Sequence, residues 1–419
     1  MKLNFTAKVS NIFETAKHIS TMKEWKQYRL GDICTIYGRI GFRGYTTEDL
    51  TTDPAQGAIS LSPTNIVGGE LELSKPTYIK WDKYEESPEI MLRPNDVVIV
   101  KTGSSVGRTT LIREVVHPMT LNPQLVVLKD IKVNPVFLSY LVKAPRFQGL
   151  LMSITVGSAI PTLSQKNLAN LSVEIPDEIT QVRIADVLNS IDNKILLNNR
   201  INHNLEEQFK TLYKQFFADS NQESTEVELS KIISFQEGPG IRNWQYVEKD
   251  GIKFINIRCI NNGDIDTSTA NMISEEDAYG KYKHFLLEKN DIVMSCSGTL
   301  GRYAIVRREH LPLCLNTSVI RFKAKEQPDD FAFIYGFLTS SEFLNRQQEL
   351  ACGSVQANFG PTHLKAMTIR EFPAEYRREF SQKTQPILDK LIKNLKENSK
   401  LQQLRDSLLP RLISGELTY

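Results

Sequence analysis

This chain of 419 residues is poor in the residue patterns that usually carry chemistry. Its five cysteines (34, 259, 296, 314 and 352) fall in no C-x-x-C pair, and its six histidines are scattered. That argues against a zinc site and a disulfide framework, and it suits reduced thiols and a cytoplasmic location. No apolar run approaches the ~18 residues of a membrane span, and residues 1–21 hold no continuous apolar segment of the secretory kind. A membrane is therefore not an expected partner. The nucleotide loop G-x-x-x-x-G-K-[ST] is missing, as are G-x-G-x-x-G, H-E-x-x-H and G-x-S-x-G. An excess of charge is missing too. Lys and Arg number 51 against 49 Asp and Glu, a net charge of +2, so any affinity for nucleic acid must come from local clusters or from partners.

What is present is one design written twice. Residues 92–129 read LRPNDVVIVKTGSSVGRTTLIREVVHPMTLNPQLVVLK, and residues 287–323 read LEKNDIVMSCSGTLGRYAIVRREHLPLCLNTSVIRFK. Asp96 matches Asp291 and Gly103 matches Gly298 at an offset of 195. After one residue of slack, Gly107/Gly301, Arg108/Arg302, Asn122/Asn316 and Lys129/Lys323 match at 194. Upstream, Gly57 pairs with Gly251 and Gly69 with Gly263; downstream, Gly157-Ser158 pairs with Gly353-Ser354. Such a period is far too long for a solenoid. It means two whole domains of one fold, as the length also allows.

Within each copy, short strands alternate with Gly, Asn and Asp turns. Tyr28–Ile33 reads as a first strand echoed by Val227–Ile232, and Val97–Val100 and Ile292–Met294 as buried strands. Paired glycines follow in residues 102–108 and 297–302, then helices from Pro135 and Phe331 and a short strand closed by proline at Pro176 and Pro373. Asn134-Pro-Val-Phe resembles the Asn-Pro-Pro-Phe/Tyr loop of adenine methyltransferases, but its third position is wrong and no Gly-rich cofactor loop precedes it. A helix start explains it better.

A different texture follows each copy. From Ile179 to Phe217 Gly and Pro nearly vanish, and apolar residues recur at Ile184, Leu188, Ile191, Ile195, Ile201, Leu205, Phe209, Leu212 and Phe216. Phe380–Ile413 repeats the pattern with Ile387, Leu391, Leu395, Leu401, Leu404, Leu408 and Leu412. These are seams of long helices, roughly 50–60 Å each, expected to pair as an antiparallel coiled coil. Asn198 and Asn398 interrupt the stripe, where polar residues fix register. The expected segments are an extension (1–21), a first domain (22–177), a helical spacer (178–219), a second domain (220–376) and a second spacer (377–419). The extension reads as an upstream-start segment or a docking arm.

The duplicated N-D-[VI]-[VIL]…G-x-x-G-R block, the stretch Ile175-Pro-Asp-Glu-Ile-Thr-Gln-Val-Arg-Ile and the ending Leu404-Arg-Asp-Ser-Leu-Leu-Pro-Arg-Leu-Ile-Ser-Gly-Glu-Leu together resemble the specificity (S) subunit of type I restriction–modification enzymes. The likeness runs from about Trp25 to the C-terminus. It departs at Glu375–Gln382, a degenerate second entry, and at the first 21 residues. It implies an α+β fold: two similar mixed α/β target recognition domains, separated by two long helices packed as an antiparallel coiled coil, with a pseudo-two-fold repeat. It implies that each domain reads half of a bipartite asymmetric site on double-stranded DNA, and that the helices dock two methyltransferase subunits, joined by restriction/translocase subunits. It implies no catalysis and no cofactor of its own, since S-adenosylmethionine, ATP and Mg belong to the partners.

Base readout needs Arg, Lys, Asn, Gln, Ser or Thr on loops able to enter a groove. In the first copy the candidates are Arg39, Arg43 and Tyr45, then Lys101, Thr102, Ser104, Ser105 and Arg108 on the glycine loop. In the second they are Arg242, Asn243, Trp244 and Tyr246, then Ser295, Ser297, Thr299 and Arg302. Both copies keep the arginine at 108 and 302 although they should read different bases, so phosphate contact or a fold-stabilising hydrogen bond suits that pair better than base reading. The stretches that differ, 37–47 against 236–246, are the better specificity candidates. Ser158 and Ser354 could touch DNA or cap a turn. A catalytic methyltransferase with fused recognition domains is argued against by the missing motifs. A structural adaptor whose duplicated domains bind protein stays open on charge alone.

Overall fold

The computed structural model describes residues 25–157, 160–261, 263–325, 330–351 and 358–417, apart from the side chain of Phe42. The extension 1–21, Ser158 and Ser354 lie outside the described residues. The chain divides into two units, one running up to Ile195 and resuming at Lys400, the other spanning Leu196–Ser399. Each therefore joins one sequence copy to a length of both long helices. No helix among the described residues is long and apolar enough to cross a membrane.

The copies share one topology. In the first unit a four-stranded sheet has the order Thr35–Tyr37, Leu125–Lys129, Val97–Val100, Thr109–Leu111; another has the order Met119–Leu121, Gly57–Leu61, Tyr78–Lys80, Leu50–Thr51. The second unit repeats both. Its first sheet is Ile233–Glu237, Val319–Ala324, Ile292–Ser295, Tyr303–Ile305, and its second is Leu313–Leu315, Gly251–Ile255, Asn271–Ser274, Tyr246–Val247. The valine run 97–100 is buried on both faces, which is why it is continuously apolar rather than alternating. Val97 and Ile99 join the core under the helices, while Val98 and Val100 join a second core against the other sheet. Ile292 and Met294 divide from Val293 in the same way.

Shared residues mark shared geometry. A Cβ on Gly57 would lie 2.1 Å from the Ile79 carbonyl oxygen, and one on Gly251 2.4 Å from that of Ile273, so glycine recurs there because the neighbouring strand leaves no room. Asn95 and Asn290 both take positive φ, and the following Asp96 and Asp291 accept the backbone N–H of Arg93 (2.8 Å) and Glu288 (2.7 Å). The expected strand Tyr28–Ile33 is corrected. The strand spans Lys26–Arg29, and Leu30–Ile33 is a helical turn closed by the Arg29 N–H donating to Asp32 Oδ2 (3.1 Å). Leu30 and Ile33, three residues apart, point into the core, and Leu229 and Ile232 do the same in the second copy.

The long helices span Glu178–Tyr213 and Ala374–Ile413. In the first unit Ile184, Leu188, Ile191 and Ile195 share a core with Leu401, Leu408 and Leu412. In the second, Phe209 and Tyr213 pack with Phe380, Ile387 and Leu388. Polar layers cross this seam. Asn198 Nδ2 donates to Asn398 Oδ1 (2.9 Å), and Asn394 Nδ2 donates to Asn202 Oδ1 (2.8 Å). One number rises as its partner falls, so the helices are antiparallel there. An offset of 196 carries Asn198 and Asn202 onto Asn394 and Asn398, so each layer is the other's image under the repeat.

The helix entries also correspond, which accounts for the degenerate second one. Gln181 donates to the Pro176 carbonyl (2.9 Å) and accepts the Asn134 N–H (2.9 Å). At the equivalent place Arg377 donates to the Phe372 carbonyl and to Asp330 Oδ1 (2.8 Å). Glutamine with asparagine has become arginine with aspartate, and the joint persists. Asn134 itself caps the helix Pro135–Lys143, its side chain accepting the Phe137 N–H (2.9 Å), so the Asn-Pro-Val-Phe stretch is a helix start.

Replacing Asn394 alone with leucine strands Asn202 in the seam and should cost about 1–3 kcal/mol, whereas Asn202→Leu with Asn394→Leu should recover much of it. Urea unfolding of the three variants measures this. A double variant as unstable as the sum of the singles would show that the amides are not paired.

Candidate nucleic-acid interface

Each copy builds a loop cluster on the same scaffold. In the first, the glycine loop leaves Val97–Val100 and returns at Thr109; the Val100 N–H donates to Arg108 O (2.8 Å) and the Gly107 N–H to Val100 O (3.0 Å). The N–H groups of Lys101 and Thr102 donate to Gln124 O (2.8 and 3.3 Å), which anchors the 122–124 turn beneath the loop. That turn is held by the Asn122 N–H donating to Leu61 O and the Gln124 N–H to Asn122 Oδ1. Gly103 and Gly107 have φ of +104° and +90°, which side chains rarely adopt. In the second copy the Ser295 N–H donates to Arg302 O (2.8 Å), the Cys296 N–H to Ser318 O (3.0 Å) and the Asn316 N–H to Ile255 O (3.1 Å). Gln148 braces the first loop by donating to Gly107 O (3.0 Å); Gln347 braces the second by donating to Ser295 O (3.3 Å).

This geometry sorts the candidates. Ser104 and Arg108 are exposed, and the Arg108 guanidinium has no hydrogen-bond partner among the described residues. Lys101, Thr102 and Ser105 are half-buried, and burial lowers the Lys101 ammonium below its ordinary pKa. Thr102 pairs with Thr162, tying the loop to a neighbouring turn. In the second copy Thr299 and Arg302 are exposed, and Arg302 Nη1 donates to Asn261 Oδ1 (3.3 Å). The position matching Asn261 holds Val67, so the two conserved arginines are held differently. Ser297 is half-buried and bridges to Asn358. Arg242, Asn243 and Trp244 stand on an exposed turn, Trp244 with 82% of its surface open.

Four candidates are corrected. Arg39 is only 4% exposed, and its guanidinium donates to Leu121 O, Arg43 O and Thr120 Oγ1 while lying 5.1 Å from the Tyr45 ring centre. It closes the turn rather than reaching out of it. Tyr45, half-buried beneath it, bonds Ser60 Oγ (2.8 Å). Ser295 is fully buried; its hydroxyl donates to Thr299 O (2.7 Å) and accepts the Arg302 N–H (2.9 Å), so it shapes the loop from inside. Tyr246 is a strand residue packed on Phe254, ring centres 5.1 Å apart. Arg43 keeps partial exposure but pairs with Glu89 (3.4 Å).

The sequence comparison missed Gln124, Thr317 and Arg258, which are exposed beside the loops. They sit in the turns Asn122-Pro-Gln and Asn316-Thr-Ser and after the shared Gly57/Gly251 strand, so the repeat itself marked them. The pairing of 37–47 with 236–246 is also out of register. Leu50 pairs with Ile79 as Tyr246 pairs with Ile273, so the counterpart of Arg242–Tyr246 is Thr46–Leu50.

Two joints, the first half-buried and the second buried at its arginine, tie the strands that follow these loops to the helices within their own units. Arg113 donates to Asn189 Oδ1 (2.7 Å) and meets Glu70 (3.5 Å). Its repeat equivalent, Arg307, pairs with Asp264 and donates to Ser399 Oγ (3.1 Å). Burial pushes the Asp264 carboxyl up, but His310 and Arg307 outweigh it and hold the group below the usual carboxylate range. That contribution to stability is present above an ordinary aspartate pKa and is lost only as pH falls below about 4.

The chain matches the type I restriction modification DNA specificity domain twice, over residues 22–207 and 221–405. It therefore belongs to the type I restriction–modification specificity family. It is 24% identical to the type I restriction enzyme MjaVIII specificity subunit of Methanocaldococcus jannaschii, with 78% of this chain and 80% of that one covered. It is 21% identical to the HindI specificity subunit of Haemophilus influenzae, covering 94% of this chain and all of the relative. The fold is that of the type I system S subunit from M. genitalium, with a TM-score of 0.53 and 15% identity over 95% of this chain and 98% of that one.

Arg39→Ala leaves buried acceptors unpaired and should cost about 1–3 kcal/mol, whereas Arg108→Ala should change stability by less than about 0.5 kcal/mol. Urea denaturation of both variants decides. An unchanged midpoint for the Arg39 variant would return it to the pool of free readers.

Proposed function

We propose that this chain is the non-catalytic, sequence-specific DNA-binding subunit of a type I restriction–modification complex. Each domain reads one half of a bipartite asymmetric site through its glycine loop and the turn beneath it. The long helices dock two methyltransferase subunits, with restriction/translocase subunits joining them. S-adenosylmethionine, ATP and Mg act on those partners, where an adenine would be flipped out of the duplex for N6-methylation. For two readers to meet one face of the duplex, the half-sites lie about one turn, ~10 bp, apart.

One observation carries this reading. The two loop clusters share three backbone hydrogen bonds and an outward arginine, while their other outward side chains differ, Ser104 and Gln124 in one against Thr299 and Thr317 in the other. A constant scaffold with variable tips is what reading two different half-sites requires. A pair of protein-binding adaptor domains would need no polar tips of groove-entering type.

Replacing residues 24–177 with the matching domain of another specificity subunit should change one half of the methylated motif and leave the other half and the gap intact. Long-read methylation sequencing reads the outcome. If both halves change together, the domains are not independent readers. The purified chain, free of partners, should show no methyltransferase, ATPase or nuclease turnover.

A further inference from the structure

Arg242 opens a turn whose N–H donates to Gln245 Oε1 (3.0 Å), and Gln245 Nε2 donates to the Tyr282 hydroxyl (2.7 Å). That bond ties the turn to the segment Tyr279–Phe285. Tyr282 is buried, with Lys281 Nζ 5.0 Å from its ring centre. Around this joint Arg242, Lys281, Lys283 and His284 are exposed, and none has an ion-pair partner among the described residues. Trp244 is 82% and Tyr279 52% exposed beside them. The acids Glu275, Glu276 and Asp277 lie on the preceding helical turn, beyond Gly280.

The first copy keeps the architecture and inverts the charge. The Thr46 N–H donates to Asp49 Oδ2 (2.7 Å) as Arg242 does to Gln245. Glu48 stands where Trp244 does. Glu86 and Glu89 flank the buried Ser87 as Lys281 and His284 flank Tyr282. Those acids are engaged, Glu86 by Lys83 (2.9 Å) and Glu89 by Arg43 (3.4 Å). Since both versions hold the same fold, the cationic aromatic version is not there to close the turn.

Its position suggests a use. Strand Gly251–Ile255 begins beside this edge, where Gly251 pairs with Ser274, and ends at Ile255, whose carbonyl holds Asn316 under the glycine loop. Five strand residues span ~13 Å, close to the ~12 Å width of a major groove. With the loop in the groove, the edge meets the flanking backbone. We infer that Arg242, Lys281, Lys283 and His284, with Trp244, form a phosphate-binding ledge for duplex DNA that the first copy lacks. The two domains then share unequally in holding the DNA: the second supplies more of the sequence-independent anchoring. This inference rests on the DNA-binding reading above.

The test is the salt dependence of binding by the full chain to a fluorescein-labelled 40-bp duplex of random sequence, followed by anisotropy. Lys281→Ala with Lys283→Ala should reduce the slope of log Kobs against log salt by about 1.8, at ~0.9 per phosphate contact. Lys390→Ala with Lys400→Ala, two exposed lysines of the C-terminal helix, should leave it unchanged. A wild-type chain that shows no salt-dependent binding would defeat the DNA-binding reading itself. Binding by the wild type with an unchanged slope in the Lys281/Lys283 variant, or with an equal loss in both variants, would overturn the ledge alone.

Discussion

Two buried amide pairs, Asn198 with Asn398 and Asn202 with Asn394, hold the long helices in one register. Apolar side chains packed in a seam tolerate sliding, but a shifted amide loses its partner in a place that water does not reach. The pairs are images of each other under the repeat, so the duplication runs through the helices as well as the globular parts. Within each unit a further joint ties the globular part to a long helix, Arg113 with Asn189 in the first and Arg307 with Ser399 in the second. The same arginine recurs in both, yet it meets Asn189 in one case and Ser399 in the other. The joint is retained while its helix partner is free to vary.

The glycine loops follow the same principle at a smaller scale. Backbone hydrogen bonds set their course, and Gln148 and Gln347 brace them from helices that follow. Those glutamines do not align in the repeat, since Gln347 falls where the first copy has Leu151. A glutamine brace recurs in both copies, but from a different position in each. The outward side chains are then free to change without cost to the fold, which is the property a family of sequence readers needs.

Much of the architecture was legible in the sequence because it depends on periodicity and on turn residues. The two-copy organisation, the buried strands 97–100 and 292–295 and both long helices follow from patterns that local physics imposes. Less legible was which polar residues face outward. Arg39 and Ser295 have the side chains of DNA readers, but they are consumed by carbonyls and N–H groups brought close only by tertiary folding. The correspondence of Arg242–Tyr246 with Thr46–Leu50 was hidden by the extra turn Gly41–Arg43 in the first copy, which shifts a comparison made by spacing alone. The degenerate entry at Arg377 looked like decay because its compensation, Asp330, lies 47 residues away in the chain. The seam leucines needed no such knowledge, because an apolar residue at helical spacing has few other places to go.

The central claim is that two scaffolded loop clusters on one chain read two separate halves of one DNA site. Long-read methylation sequencing of a host with this gene intact and with it deleted tests that most directly. The account predicts that deletion abolishes methylation at a single bipartite motif, two short specified halves around an unspecified gap, and leaves other motifs untouched. Loss of a continuous motif with no gap, or no change in methylation in a host whose methyltransferase partner is expressed, would contradict it.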